Sequence, residues 1–285
     1  MTEDRRKLHF ESRSQAGRTP AERGYEHLLE FRDVSLSFKG VKALSEVSFH
    51  VDDGELFAII GPNGAGKTST FNCINGVYRP QEGDVLWKGE SIRGERPDDI
   101  AAKGIARTFQ NIELFAHMTV LENIALGRHV RTRVSWWDGA LWWGRAKREE
   151  LANRRVVEDI IDLLEIEQWR QHPVALLPYG IQKRVELGRA LAMEPELLLL
   201  DEPVAGMNLE ETEDMARFIL DIQEELGIAM ILVEHDMGLV MDIADRVMVL
   251  DFGREIATGP PAEVARNPDV IRAYLGEELS VASAE

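Results

Sequence analysis

The sequence holds a single cysteine, Cys73. It can form no internal disulfide and offers no cluster of thiolate zinc ligands, which suits a reducing compartment. Long apolar runs are missing too: the longest, Ile228 to Val233, has six residues, against about 20 for a membrane-spanning helix. Basic residues are in deficit, 33 against 50 acidic, for a formal net charge of −17. That balance argues against nucleic acid or anionic lipid as a general partner. Met1 to Gly24 mixes charges with Ser, Gly and Pro and lacks the apolar stretch of a secretory signal. The expectation is a soluble, cytoplasmic chain. What is present is core material: 44% of 285 residues are hydrophobic, enough for one large or two small domains.

Residues 1–27 carry few apolar groups and read as a flexible tail, with order expected from about Leu28. Phe31, Val34, Leu36 and Phe38, then Val47, Phe49 and Val51, alternate as antiparallel strands do. Glu55 to Ile60 reads as a short buried strand, followed by a glycine-rich turn and a helix over Lys67 to Asn75 that Gly76 would stop. Glu196 to Leu200, apolar after its first residue, and Ile228 to Val233, apolar throughout, show the pattern of parallel strands covered on both faces, with a helix at Glu210 to Glu225 between them. Val247 to Ala257 reads as a closing hairpin. Over about 112–195 the texture is helical, and Val156, Val157, Ile160, Ile161 and Leu164 keep a 3.6-residue stripe. The fold class expected is α/β, with an antiparallel β subdomain and a helical insert.

Gly61-Pro62-Asn63-Gly64-Ala65-Gly66-Lys67-Thr68 fits G-x-x-x-x-G-K-[ST], with Ser69 next. Glycines let a backbone curl so that successive N–H groups converge on a phosphate at the positive end of the following helix. Lys67 adds a mobile cation for the β- and γ-phosphates, and the Thr68 hydroxyl is a hard oxygen for Mg²⁺. A glycine turn before an unrelated helix could give the same octapeptide. The apolar strand in front of this one and the helix behind it favour nucleotide binding.

Leu197 to Leu200 then Asp201-Glu202 places two carboxylates at the C-terminal end of a buried strand, where ligands of open α/β sheets collect. Asp201 would hold Mg²⁺ through its water shell, and Glu202 would polarise an attacking water. His235 closes the strand through Val233 and alone reads more readily as a structural hydrogen bonder. Gln110 alone reads as a surface glutamine.

In this order the residues resemble the ATP-binding subunits of ATP-binding-cassette (ABC) transporters, over about residues 28–277, with 278–285 left as a C-terminal tail. The resemblance implies that Phe38 stacks on adenine, Gly61 to Thr68 is the Walker A loop, Gln110 the Q-loop residue and a metal ligand with Thr68 and Asp201, and Leu197 to Glu202 Walker B. It makes Ala205 to Asn208 the D-loop and His235 the switch histidine. Leu177-Pro178-Tyr179-Gly180 stands at the signature motif, so Tyr179 and Gly180 would meet the nucleotide of a second protomer. Pro178 and Ile181 depart from the usual Leu-Ser-Gly-Gly-Gln. Gly180 is expected just before a helix over about Gln182 to Ala192.

Finer stretches are similar to the ATPases of branched-chain (hydrophobic) amino acid importers: Gly104 to Asn111, Met118 to Asn123, Ala205 to Asn208, Glu234 to Met237 and Asn267 to Gly276. The resemblance implies ATP and Mg²⁺ as cofactors, Glu202, His235 and Gln110 as catalytic residues, and a second ATPase subunit, identical or not, as partner. It also implies separate permease subunits docked near Gln110 to Gly127, a solute-binding protein acting indirectly, and a peripheral place on the cytoplasmic face of the inner membrane. Urea or short amides remain open as solutes, as do a non-transport ATPase and an ATP-binding regulatory module. Four of the six tryptophans, Trp136, Trp137, Trp142 and Trp143, lie in a basic stretch that would suit permease or headgroup contact, or packing on the insert.

Overall fold

The computed structural model describes residues 19–108, 112–130 and 145–274. A short helix, α1 (Pro20–Arg23), leads into β1 (Leu29–Phe38) and β2 (Val41–Val51), an antiparallel pair in which Phe31 faces Phe49 and Val34 faces Val47. With β4 (Glu82–Trp87) and β5 (Glu90–Ser91) they form a four-stranded antiparallel sheet in the order β2-β1-β4-β5. The second sheet has the order β10-β9-β3-β8-β7-β6. Its members are β3 (Leu56–Ile60), β6 (Ile105–Arg107), β7 (Leu197–Asp201), β8 (Ala229–Val233), β9 (Arg246–Asp251) and β10 (Arg254–Gly259). All neighbours in it run parallel except β9 and β10, which close as the expected hairpin.

The strands of the second sheet are apolar at consecutive positions because both faces are covered. Leu56, Ala58 and Ile60 of β3 join one core with Leu198, Leu200, Met230 and Leu232, under the helices. Phe57 and Ile59 join the other with Leu197, Leu199, Ile231 and Val233, under the antiparallel sheet and α2 (Lys67–Ile74). The rings of Phe31, Phe49 and Phe57 stack with centroids 4.6 and 5.3 Å apart, tying the two sheets together. Cys73 lies in this second core, where burial pushes its thiol up to about 12, so it stays an inert apolar filler.

The helical insert follows β6 and, among the described residues, holds α4 (Val120–Leu126), α5 (Arg145–Leu163) and α6 (Tyr179–Leu191); α3 (Pro97–Ala102) precedes it. The stripe Val156, Val157, Ile160, Ile161 and Leu164 is buried in the helix-side core. Thr119 and Glu122 form a reciprocal capping box that starts α4. After β7 come α7 (Leu209–Leu226), α8 (Met237–Ile243) and α9 (Pro261–Val264), with α7 ended by Gly227 at φ 63°.

Part of the expected tail is packed. Residues 19–27 belong to the packed body: Arg23 pairs with Asp53 at 2.5 Å, Tyr25 donates its hydroxyl to the same carboxylate at 2.9 Å, and His27 bonds Asp52 at 2.8 Å. Sparse apolar content hid this segment because polar side chains dock it. The Trp136 to Trp143 segment and residues 278–285 lie outside the described residues.

Candidate active site

The C-terminal ends of β3, β7 and β8 lie side by side, and each releases a loop that carries part of the site. Between Ile60 and Lys67 the chain curls tightly. Gly61 has φ 147°, and a Cβ there would lie 2.0 Å from the Leu250 carbonyl oxygen; at Gly66, with φ 110°, it would lie 2.8 Å from the Ala43 oxygen. Only glycine fits where β9 and β2 press so closely on the loop. Asn63 and Gly64 are exposed at the tip, Pro62 is half-buried, and buried Ala65 accepts a hydrogen bond from the Gly253 N–H at 2.8 Å. Lys67 is buried, and its Nζ donates to the carbonyls of Gly61 at 2.5 Å and Pro62 at 3.1 Å. The ammonium therefore sits inside the curl. Thr68, exposed, and Ser69, half-buried, occupy the first turn of α2.

Asp201 ends β7 at 4% exposure and is paired by Arg107, whose Nη2 donates to Oδ2 at 2.5 Å. The same guanidinium donates to Asn72 Oδ1 on α2 at 2.8 Å, so Arg107 fixes the carboxylate relative to the helix that begins with Lys67. Thr108 lies beside it, its hydroxyl accepting from the Asp201 N–H at 3.4 Å.

Glu202 leaves the strand at φ 49°, a left-handed conformation that costs a non-glycine residue of order 1–3 kcal/mol and concentrates at functional sites. Its carboxylate reaches the loop after β8, where Oε1 meets His235 Nε2 at 2.8 Å. A carboxylate only accepts, so the imidazole proton on this edge sits on Nε2. The strand-end histidine and glutamate, 33 positions apart, are thus direct partners.

The signature region differs from the sequence expectation. Helix α6 begins at Tyr179, not near Gln182, and Gly180 lies inside its first turn, buried. A Cβ on Gly180 would lie 2.5 Å from Glu211 Oε1, so Gly180 lies against α7 of its own chain. Glu211 is also half of the capping box with Asn208 that starts α7, bonding at 3.0 and 3.1 Å. Pro178 stands at the N-cap, where its carbonyl accepts from the Gln182 N–H at 3.1 Å and no donor is required of it. Ile181 packs on the helix-side core. Both departures thus have local structural reasons. Tyr179, 43% exposed, donates its hydroxyl to the Ala205 carbonyl at 3.2 Å, linking signature and D-loop within one chain. Burial and nearby Glu186 push that hydroxyl's pKa up, keeping it a donor.

Phe38, also 43% exposed, stands at the end of β1, edge-on to Tyr78 with ring centroids 4.9 Å apart. The following strand carries Ala43 and Leu44 against Gly66. Gln110 lies outside the described residues. Sequence reasoning assigned no role to Arg107, Asn72 or Tyr78. Arg107 lay within a stretch matched to the family, yet nothing local marks it as the partner of Asp201. Thr68 and Asp201 supply hydroxyl and carboxylate oxygens, the hard donors that Mg²⁺ takes.

Residues 44–205 match the family model of the ABC transporter, and residues 254–279 match that of the branched-chain amino acid ATP-binding cassette transporter. The chain is 37% identical over 250 residues to the high-affinity branched-chain amino acid transport ATP-binding protein BraF of Pseudomonas aeruginosa, covering 88% of this chain and 98% of the relative. To LivG of Escherichia coli K12, of the same description, it is 38% identical over 253 residues, with the same coverage. Among solved structures, the ADP conformation of an ATP-binding cassette of an ABC transporter superposes with a TM-score of 0.76 at 30% identity, covering 87% of this chain and 98% of that one.

Proposed function

The chain belongs to the ABC transporter family as an ATPase subunit, and from that premise we propose that it powers an importer of branched-chain (hydrophobic) amino acids. The observation that carries the solute reading is the match of residues 254–279 to the branched-chain-specific model, beside relatives aligned over nearly their whole length. No helix among the described residues is long and apolar enough to cross a membrane, so the work passes to separate permease subunits. In this reading the subunit sits peripherally on the cytoplasmic face of the membrane, and a solute-binding protein delivers cargo from the other side.

The chemistry is read from the three strand ends. The N–H groups of Gly61 to Thr68 and the Lys67 ammonium bind the phosphates, Lys67 exchanging the Gly61 and Pro62 carbonyls for phosphate oxygens. Thr68 and Asp201, with Gln110, would hold Mg²⁺, which neutralises charge on the β- and γ-phosphates. Phe38 offers a face to adenine, with Tyr78 braced against it. Glu202 accepts a proton from the attacking water as its oxygen bonds the γ-phosphorus and the bridging oxygen departs with ADP. His235 orients the Glu202 carboxylate through Nε2–H. The first turn of α6, with exposed Tyr179 and with Gly180 seated on α7 behind it, faces the nucleotide of a second subunit, so ATP joins two subunits and its cleavage releases them.

Replacing Glu202 by Gln should abolish phosphate release while leaving ATP affinity within about threefold; hydrolysis at the wild-type rate would remove the general base. Lys67→Ala should instead weaken nucleotide binding in an equilibrium titration. Co-purification from native membranes identifies the permeases. Uptake of leucine, isoleucine or valine by the reconstituted complex tests the solute, and uptake of urea or short amides in their place would overturn it.

A further inference from the structure

One buried carboxylate has no part in that scheme. Glu234 follows the last residue of β8 and is 3% exposed. Its Oε1 accepts the Val204 N–H at 2.9 Å, on the loop after β7; its Oε2 accepts the His235 N–H at 3.0 Å, on the loop after β8. The backbone N–H of Asp236 donates to it as well. One side chain thus spans the two loops whose own side chains meet at Glu202 and His235. Burial and the neighbouring Glu202 charge push its pKa up while the three N–H donors pull it down.

Two acceptor oxygens are what this position uses, because both loops present N–H groups. An amide of the same shape would turn its NH₂ toward one of those donors and lose that loop. Val204 also directly precedes Ala205, whose carbonyl holds the Tyr179 hydroxyl. The tie therefore reaches from the histidine loop to the residue before the signature contact.

We propose that Glu234 is a positioning residue for ATP hydrolysis: its carboxylate bridges the β7 and β8 loops and so sets the register of Glu202 against His235. The inference rests on the ATPase reading above. A small error in register is enough to matter, since displacing a reacting group by about 1 Å costs about 100-fold in rate.

The test is Glu234→Gln in the full chain, assayed by phosphate release and by titration with a fluorescent ATP analogue. The expected result is a kcat lowered by about 10- to 100-fold with nucleotide affinity within about twofold. In a His235→Ala background the same substitution should lower kcat by less than about threefold, because the pair it positions is already broken. A wild-type kcat in Glu234→Gln, or the full loss repeated in the His235→Ala background, overturns the proposal. If Glu234→Gln fails to fold, Glu234→Asp decides: one methylene too short to span both loops, it supports the proposal with a lowered kcat and overturns it with a wild-type kcat. A wild-type chain that releases no phosphate sinks the ATPase reading instead, so the two failures are distinguishable.

Discussion

Arg107→Leu deletes the guanidinium that joins Asp201 to Asn72 while keeping apolar bulk beside Phe71, above whose ring the guanidinium carbon sits at 5.4 Å. The paired side chains are 11% and 5% exposed, so solvent screens them little. Two unit charges about 4 Å apart at an effective dielectric of about 20 attract by about 4 kcal/mol. Leaving one such charge buried without its partner costs about 3–5 kcal/mol. Urea unfolding of Arg107→Leu should therefore show a loss in that range. Asp201→Asn in the same chain should restore much of it, because no unpaired charge then remains buried. The double-mutant cycle should give a coupling of about 3 kcal/mol, whereas independent sites add to within about 0.5 kcal/mol. A coupling inside that additive limit would refute the pairing. Mg²⁺ with ATP should also raise the unfolding midpoint of Arg107→Leu more than that of wild type, the metal replacing the lost cation at Asp201.

Gly61→Ala forces a methyl group to 2.0 Å from the Leu250 oxygen at φ 147°, so phosphate binding should fall by about tenfold or more, the strain being about 1–3 kcal/mol; unchanged affinity for a fluorescent ATP analogue would contradict that tight curl. His50 stacks on His27 with centroids 3.9 Å apart and accepts from Arg246 Nη1 at 2.8 Å; burial first, then Arg246 and His27, hold its pKa below the usual value, opposed by Asp52 and Glu30. The unfolded chain takes up this proton near pH 6.5. Stability should therefore drop as pH falls from about 6.5 toward the lower folded value, and His50→Gln should flatten that drop in urea midpoints taken at pH 7.5 and 5.5. An identical pH dependence in both proteins would remove His50 as its source.

The phosphate loop, the two apolar strands with their acidic and histidine ends, and the helical stripe around Ile160 were legible in the linear chain, because each is a local pattern. Gly61 to Thr68 shows its glycine and lysine spacing in eight consecutive letters, and Leu197 to Leu200 shows its double-sided burial in four. The ordered set of motifs was enough to point to the family. What lay beyond reach were side-chain partnerships across the fold: Arg107 with Asp201, 94 positions apart; Glu202 with His235, 33 apart; Tyr179 with Ala205, 26 apart. Their distances depend on β7 lying between β6 and β8 in one parallel sheet, and on how the Glu202 backbone twists out of it. The same holds for Arg23, Tyr25 and His27, docked through Asp52 and Asp53, and for Gly180, turned toward α7 because α6 starts a turn early. Periodicity and composition report what a segment buries; which charged group from elsewhere meets it is settled only when the strands have been ordered and packed.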